Sequence, residues 1–237
     1  MVLVDKKKLK VKVIEDGSYL VTGEIPLSEQ IIVCDENGDS RGWKKGKSFD
    51  AKEKCSLCRC GKSKNHPYCD GMHKETNFDG KETASRKTYE EQVEIIKGGG
   101  VTLGDVRSLC AGARFCDIER GVWQLAADSD DLKSKELCIK EAELCPSGRL
   151  VAIDKKTGEA CEPECDPSIG LVQDPERKVS GPLYLKGGIP IESADGFKYE
   201  VRNRQALCRC GESANKPFCD GSHISCGFRD GIIEEES

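Results

Sequence analysis

Residues 58–73 read CRCGKSKNHPYCDGMH, and residues 208–223 read CRCGESANKPFCDGSH. Eleven of the sixteen positions are identical at an offset of 150, and the same offset matches Leu57 with Leu207 and Phe78 with Phe228. Further upstream, residues 17–27 (GSYLVTGEIPL) line up with residues 181–191 (GPLYLKGGIPI) at an offset of 164. The first copy therefore carries 14 extra residues between its strand-like run and its Cys motif. Such self-similarity marks an internal duplication.

Each copy offers three Cys and one His in the spacing C-x-C-x8-C-x3-H. In an extended segment, residues two apart point the same way, so Cys58 and Cys60 can meet one metal ion. Gly61 and Pro67 bracket a tight loop that returns the chain. Asp70 then resembles a helix N-cap. Cys69 and His73 sit about one helical turn apart and can converge on a second ion. Backbone N–H groups at that helix start favour an anionic group. Cys208, Cys210, Cys219 and His223 repeat the arrangement. The third His, His66, faces Lys216 in the other copy and reads as a non-ligand. On residue types alone, three Cys and one His also form a legitimate zinc set.

The whole chain has 237 residues, with 15 Cys, 3 His and a formal net charge of −5. Only 5% of the residues are aromatic, so the apolar core is thin. No run approaches the ~20 apolar residues of a membrane span. The start, MVLVDKKKLKVKV, lacks the features of a secretory signal or transit peptide, so the expected location is cytoplasmic. Disulfides rarely persist there, and Cys clusters favour metal or redox chemistry. The negative charge argues against a nucleic-acid partner. Lys6, Lys7 and Lys8, with Lys10 and Lys12, read as a solvated edge strand. There is no phosphate-binding loop, and His66 is the only uncommitted His. Nucleophilic catalysis is therefore not expected, nor is an enzyme.

Between the copies, residues 87–97 (KTYEEQVEIIK) read as a helix closed by Gly98, Gly99 and Gly100. Residues 130–144 read as a second helix, with Asp at its start and Pro146 just past its end. Residues 101–103, 122–126 and 149–153 read as short strands, and 155–180 as a linker. Here LCAGARFC places Cys110 and Cys116, and CPSGRL places Cys145. Bacterial ferredoxins use C-x2-C-x2-C with a remote Cys-Pro, and Ala113 stands where the middle Cys would be.

The duplicated motif resembles the CDGSH iron–sulfur motif of the NEET proteins, C-x-C-x2-S-x3-P-x-C-D-G-x-H. Both copies match every element, through Ser63/Ser213, Pro67/Pro217, Asp70/Asp220 and Gly71/Gly221. Met72 replaces the name-giving Ser in the first copy, whereas the second has Ser222. The resemblance implies a [2Fe–2S] cluster held by three Cys and one His in each copy, and it favours iron over zinc. It also implies that the two halves of one chain form the unit that single-motif relatives form by dimerising with swapped strands. Residues 101–155 resemble divergent mono-cluster ferredoxin domains. That resemblance implies a third site on Cys110, Cys116 and Cys145, holding [3Fe–4S], or [4Fe–4S] with a fourth ligand from Cys138, Cys161 or Cys165. Cys34, Cys55 and Cys226 receive no role.

The expected fold is α+β: a pseudo-twofold, β-rich NEET-like unit from two CDGSH halves, with a small α+β ferredoxin-like insert. The expected divisions are 1–86, 87–165 and 166–237, in a monomer with an internal pseudo-dimer. Replacing one thiolate by neutral imidazole makes a cluster easier to reduce, as in Rieske sites. Reduction places negative charge beside an imidazole whose second nitrogen can titrate, coupling electron to proton uptake with a limiting slope of roughly 59 mV per pH unit. The expected function is one-electron carriage, with a redox protein or an apo-acceptor of clusters as partner. A cluster donor or redox/pH sensor is the alternative, and a zinc-bound interaction module the second.

Overall fold

A computed structural model of the chain describes residues 9–232. The first half holds β1 (Lys10–Val13), β2 (Tyr19–Thr22), β3 (Leu27–Cys34), β4 (Ser40–Phe49), β5 (Lys54–Leu57) and α1 (Met72–Glu75). The middle holds β6 (Glu94–Lys97), β7 (Val101–Asp105), α2 (Val122–Ala127), α3 (Leu132–Leu144), β8 (Leu150–Asp154) and β9 (Ala160–Cys161). The last part holds β10 (Ser168–Asp174), β11 (Val179–Lys186), β12 (Ile191–Glu192), β13 (Arg204–Leu207) and α4 (Ser222–Ser225). The fold is α+β, with more sheet than helix.

Two sheets are built by exchange between the halves. One runs β12-β1-β2-β5, the other β13-β11-β10-β3-β4. In the first, β12 from the second half lies parallel to β1, with Val11 opposite Ile191. In the other, β3 from the first half lies parallel to β10, with Leu27 opposite Ile169. The donated strands carry the Ile-Pro segments of the upstream repeat. Alternation explains why the exchange is stable: Val11, Val13, Tyr19, Val21 and Leu27 share one buried cluster with Ile169, Leu171, Leu183, Leu185, Ile191 and Leu207. Burying that apolar surface drives the halves together. The longer first copy extends β3 and adds β4, whose Lys44, Lys45 and Lys47 keep an edge strand soluble.

The middle forms a third sheet, β6-β7-β8-β9, with α2 and α3 against it. Val101, Leu103, Leu150 and Ala152 pack on Val122, Leu125, Ala126, Cys138 and Ala142. Asp131 caps α3, its side chain accepting from the Ser134 N–H, close to the expected start.

Several sequence expectations need correction. Residues 94–97 are strand rather than helix: Ile95 and Ile96 favour extended chain, and Gly98 turns it back into β7 by donating to the Val101 carbonyl. Residues 122–126 belong to α2, because their buried positions, Val122, Leu125 and Ala126, recur at helical rather than alternating spacing. The expected linker contains β9, β10 and the start of β11; its Pro residues and most of its charged ones occupy the connections, while SIGLVQD crosses a sheet interior. Lys10 and Lys12 lie on an inner strand, where both pair with Glu192. Lys6, Lys7 and Lys8 lie outside the described residues. No helix among the described residues is long and apolar enough to cross a membrane.

Candidate metal centres

The two Cys motifs fold alike. Each begins where a strand ends, β5 before Cys58 and β13 before Cys208. The Cys58 N–H donates to the Pro67 carbonyl and the Cys69 N–H to the Ser56 carbonyl, both at 2.8 Å. The equivalent bonds run from Cys208 to Pro217 (2.8 Å) and from Cys219 to Ala206 (2.9 Å). These pairings bring the third Cys alongside the first two. Ser63 Oγ donates to the Tyr68 carbonyl at 2.7 Å and Ser213 Oγ to the Phe218 carbonyl at 2.7 Å, closing each loop. Asp70 accepts from the N–H groups of Lys64 and Met72. It precedes the N-cap, which is Gly71 at a φ of 94°. Asp70 therefore organises the turn without being the cap residue itself.

The donors come in pairs. Cys58 and Cys60 sulfurs lie 3.8 Å apart, and Cys208 and Cys210 sulfurs 3.7 Å apart. Cys69 Sγ lies 3.3 Å from His73 Nδ1, and Cys219 Sγ 3.5 Å from His223 Nδ1. Within each Cys pair the sulfurs share a hydrogen bond. Cys60 thereby holds the Cys58 thiol well below its usual range against desolvation, with His66 adding to the effect. Cys208 is lowered in the same way by Cys210. His66 itself rests edge-on against Phe228, ring centroids 5.9 Å apart.

The two motifs also touch each other. A Cβ on Gly61 would come within 2.5 Å of the Cys210 carbonyl oxygen, and one on Gly211 within 2.6 Å of the Cys60 oxygen. Both glycines have positive φ. Only a residue without a Cβ allows this reciprocal approach.

Arg59 and Arg209, each between two Cys of a C-x-C, were not singled out by sequence. Both are 1% exposed. A signal was present: Arg occupies the same place in both copies, and alternation turns it away from the neighbouring sulfurs into the core. Arg209 donates to the carbonyls of Gly181 and Val172, each at 3.0 Å, and pairs with buried Asp230. Those carbonyls are freed because the β10–β11 register shifts where Pro182 cannot donate to the ladder. Arg59 donates to the Gly80 carbonyl and faces the Tyr19 ring. Tyr19 in turn donates to the carbonyls of Cys208 (2.8 Å) and Pro217 (3.1 Å), a contact from the first half to the second motif.

In the middle segment, Cys110, Cys116 and Cys145 line one cleft with Ala113 and Arg149. Burial, then Asp117, pushes the Cys116 thiol up, with Cys145 and Cys110 adding to the shift. Arg149 is held over Trp123 by a bidentate pair with Asp105 at 2.6 and 2.8 Å. The other candidates for a fourth ligand lie elsewhere. Cys138 is fully buried among Val101, Leu125 and Ala142, with its thiol pushed up to about 12 by burial. Cys161 sits on β9, and neither it nor Cys165 lines the cleft. Trp43 packs on Phe115 and Tyr184 and donates to the Leu144 carbonyl, joining β4 to the insert.

Residues 16–74 and 180–224 match the family described as iron-binding zinc finger, CDGSH type. Residues 96–155 match the family described as divergent 4Fe-4S mono-cluster. No curated protein and no solved structure matches the chain. These matches mark the chain as an iron–sulfur protein. More particularly, the chain is a two-motif CDGSH protein with an inserted divergent mono-cluster domain.

Proposed function

We propose that the protein is a one-electron carrier with two [2Fe–2S] clusters. One would be held by Cys58, Cys60, Cys69 and His73, the other by Cys208, Cys210, Cys219 and His223. The donor pairing carries this reading. Two thiolates on one tetrahedral metal at about 2.3 Å stand roughly 3.8 Å apart, and a thiolate and an imidazole slightly less. Each motif offers one pair of each kind at those separations. Among the described residues, no three Cys, His, Asp or Glu side chains converge on a single-ion position. A structural zinc site needs four donors around one ion, so pairs favour a two-metal cluster over the zinc module.

The strand exchange and the reciprocal Gly61 and Gly211 contacts support a pseudo-twofold NEET-like unit within a monomer, with halves at 1–86 and 166–237 and an insert at 87–165. A third cluster would be held by Cys110, Cys116 and Cys145.

The chemistry such clusters supply when bound is reversible uptake of single electrons. The chain prepares for it with charge. Buried Arg59 adds positive charge beside the first motif, whereas Arg209 is already balanced by Asp230. The Glu212 and Gly221 N–H groups donate to Cys210 and Cys219 sulfurs at 3.5 and 3.4 Å, which favours thiolate. In both motifs Nδ1 faces the Cys sulfur, leaving Nε2 to hold or release a proton. This supports carriage with a proton-coupled potential. Half-exposure of Cys69 and His73 favours a second reading, that of a cluster donor or sensor.

Visible absorption of anaerobically purified protein, with iron, acid-labile sulfide and zinc analysis, tests the assignment. Coloured protein with iron and sulfide is expected, and colourless zinc-loaded protein overturns it. EPR spin counting gives cluster number and type. Transfer to an apo-ferredoxin that outpaces electron exchange would favour the donor.

A further inference from the structure

The two CDGSH sites differ in what surrounds them. At the second, Cys219 is 3% exposed and His223 4%. The insert covers that site. Ala111 packs with Ala206 and Cys219. Ile224 reaches Gly112, where a Cβ would lie 2.6 Å from its Cδ1. Asn215 donates to the Ser108 carbonyl at 2.8 Å. Among the described residues nothing at the first site corresponds to this cover, and Cys69, Met72 and His73 are half-exposed.

The surfaces differ in charge as well. The first motif has Lys62, Lys64 and Lys74 where the second has Glu212, Ala214 and Ile224. All three lysines are exposed. None has an acidic partner among the described residues. Acids stand close by: Glu75 is exposed on α1, the Asp70 carboxylate accepts the Lys64 and Met72 N–H groups, and exposed Glu212 follows Gly211, which meets Cys60. A chain of net charge −5 therefore presents a local basic rim around its open site.

Resting on the carrier reading above, we propose that this rim is the docking face for an acidic one-electron protein, and that the insert closes the second site to such partners. Opposite charge steers encounter and orients the partner, with rates that fall as salt screens it. Exchange moves one electron. A reduced partner leaves one-electron oxidised and this protein one-electron reduced, with no covalent bond made.

The test is stopped-flow reduction of the full-length, cluster-loaded protein by an acidic flavodoxin in its hydroquinone form, at several ionic strengths. The triple variant Lys62→Glu, Lys64→Glu, Lys74→Glu is compared with Lys133→Glu, Lys140→Glu, Lys156→Glu, which makes the same charge change on exposed insert residues. Iron content and EPR spectra, expected unchanged, check that both variants fold. At low salt the rim variant should slow reduction about tenfold and lose most of the salt dependence, while the insert variant changes it less than about twofold. Equal effects of the two variants, or a salt-independent native rate, would overturn the proposal. Tight binding of vesicles of phosphatidylcholine and phosphatidylserine through the same lysines, without an effect on flavodoxin, would reassign the rim and overturn it too. Protein purified without iron and sulfide would refute the carrier reading itself, and the docking proposal with it.

Discussion

Arg204 donates to the Cys145 carbonyl at 2.8 Å. The strand that delivers Cys208 to the second motif therefore also holds the turn that delivers Cys145 to the insert's cleft. The same guanidinium is fully buried, donates to the Ala142, Glu143 and Leu150 carbonyls and pairs with Glu162 at 2.6 Å. Arg202 donates to the Gly148 carbonyl of the same turn.

Arg204→Met should therefore lower stability by about 3–5 kcal/mol, because it strands Glu162 and several carbonyls. Iron per chain should fall by the insert's share first. Arg204→Lys should recover part of both losses. Urea unfolding with iron analysis measures them, and full iron retention in Arg204→Met would show that the turn holds without its clamp.

The motif contact is equally exposed to mutation. Gly211→Ala puts a Cβ against the Cys60 carbonyl oxygen and forces Ala to a φ of 87°. The expected cost is about 1–3 kcal/mol, with spectral change at both CDGSH sites because the contact is shared. Thermal unfolding and visible circular dichroism check this, and an unperturbed first site would show the halves to be independent.

Acid should distinguish the two sites. Burial, then the nearby Arg209 charge, pushes His223 down to about 4. In the unfolded chain it titrates near 6.5. His223 is then neutral in the fold where the unfolded chain already binds a proton. Its contribution to stability is full above about pH 6.5 and is lost as pH falls toward 4. The first site is half-exposed at His73, so solvent reaches it directly. As pH drops from 7, colour from the first site should bleach before colour from the second. Absorbance decay of proteins lacking one or the other site reads this out, and the reverse order would contradict the burial argument.

On the proposed assignment, His73→Cys and His223→Cys each replace a neutral ligand by a thiolate. Each should lower the potential of its own site and flatten the pH dependence, whose limit is roughly 59 mV per pH unit. Film voltammetry between about pH 6 and 9 brackets the His range. An unchanged slope in the double variant would remove His from the coupling.

The sequence by itself determined the duplicated donor sets. Alternation in C-x-C brings Cys58 to Cys60, and the turn into α1 brings Cys69, two residues before the Gly71 N-cap, to His73 on the helix. It also determined α3, through Asp131 and the helical run behind it. Residues 94–97 and 122–126 were misread because short apolar runs suit either period until a neighbour chooses. For Ile95 and Ile96 that neighbour is β7, and for Val122 and Leu125 it is α3 and the sheet. Only the tertiary structure decided what the two motifs do not share. Identical motifs leave identical signatures, but long-range packing of Ala111 and Gly112 against Cys219 and Ile224 buries one site and leaves the other open. Arg204 is likewise silent in sequence, since its partners lie about 40 to 60 residues away and meet it only once the insert has folded onto β13.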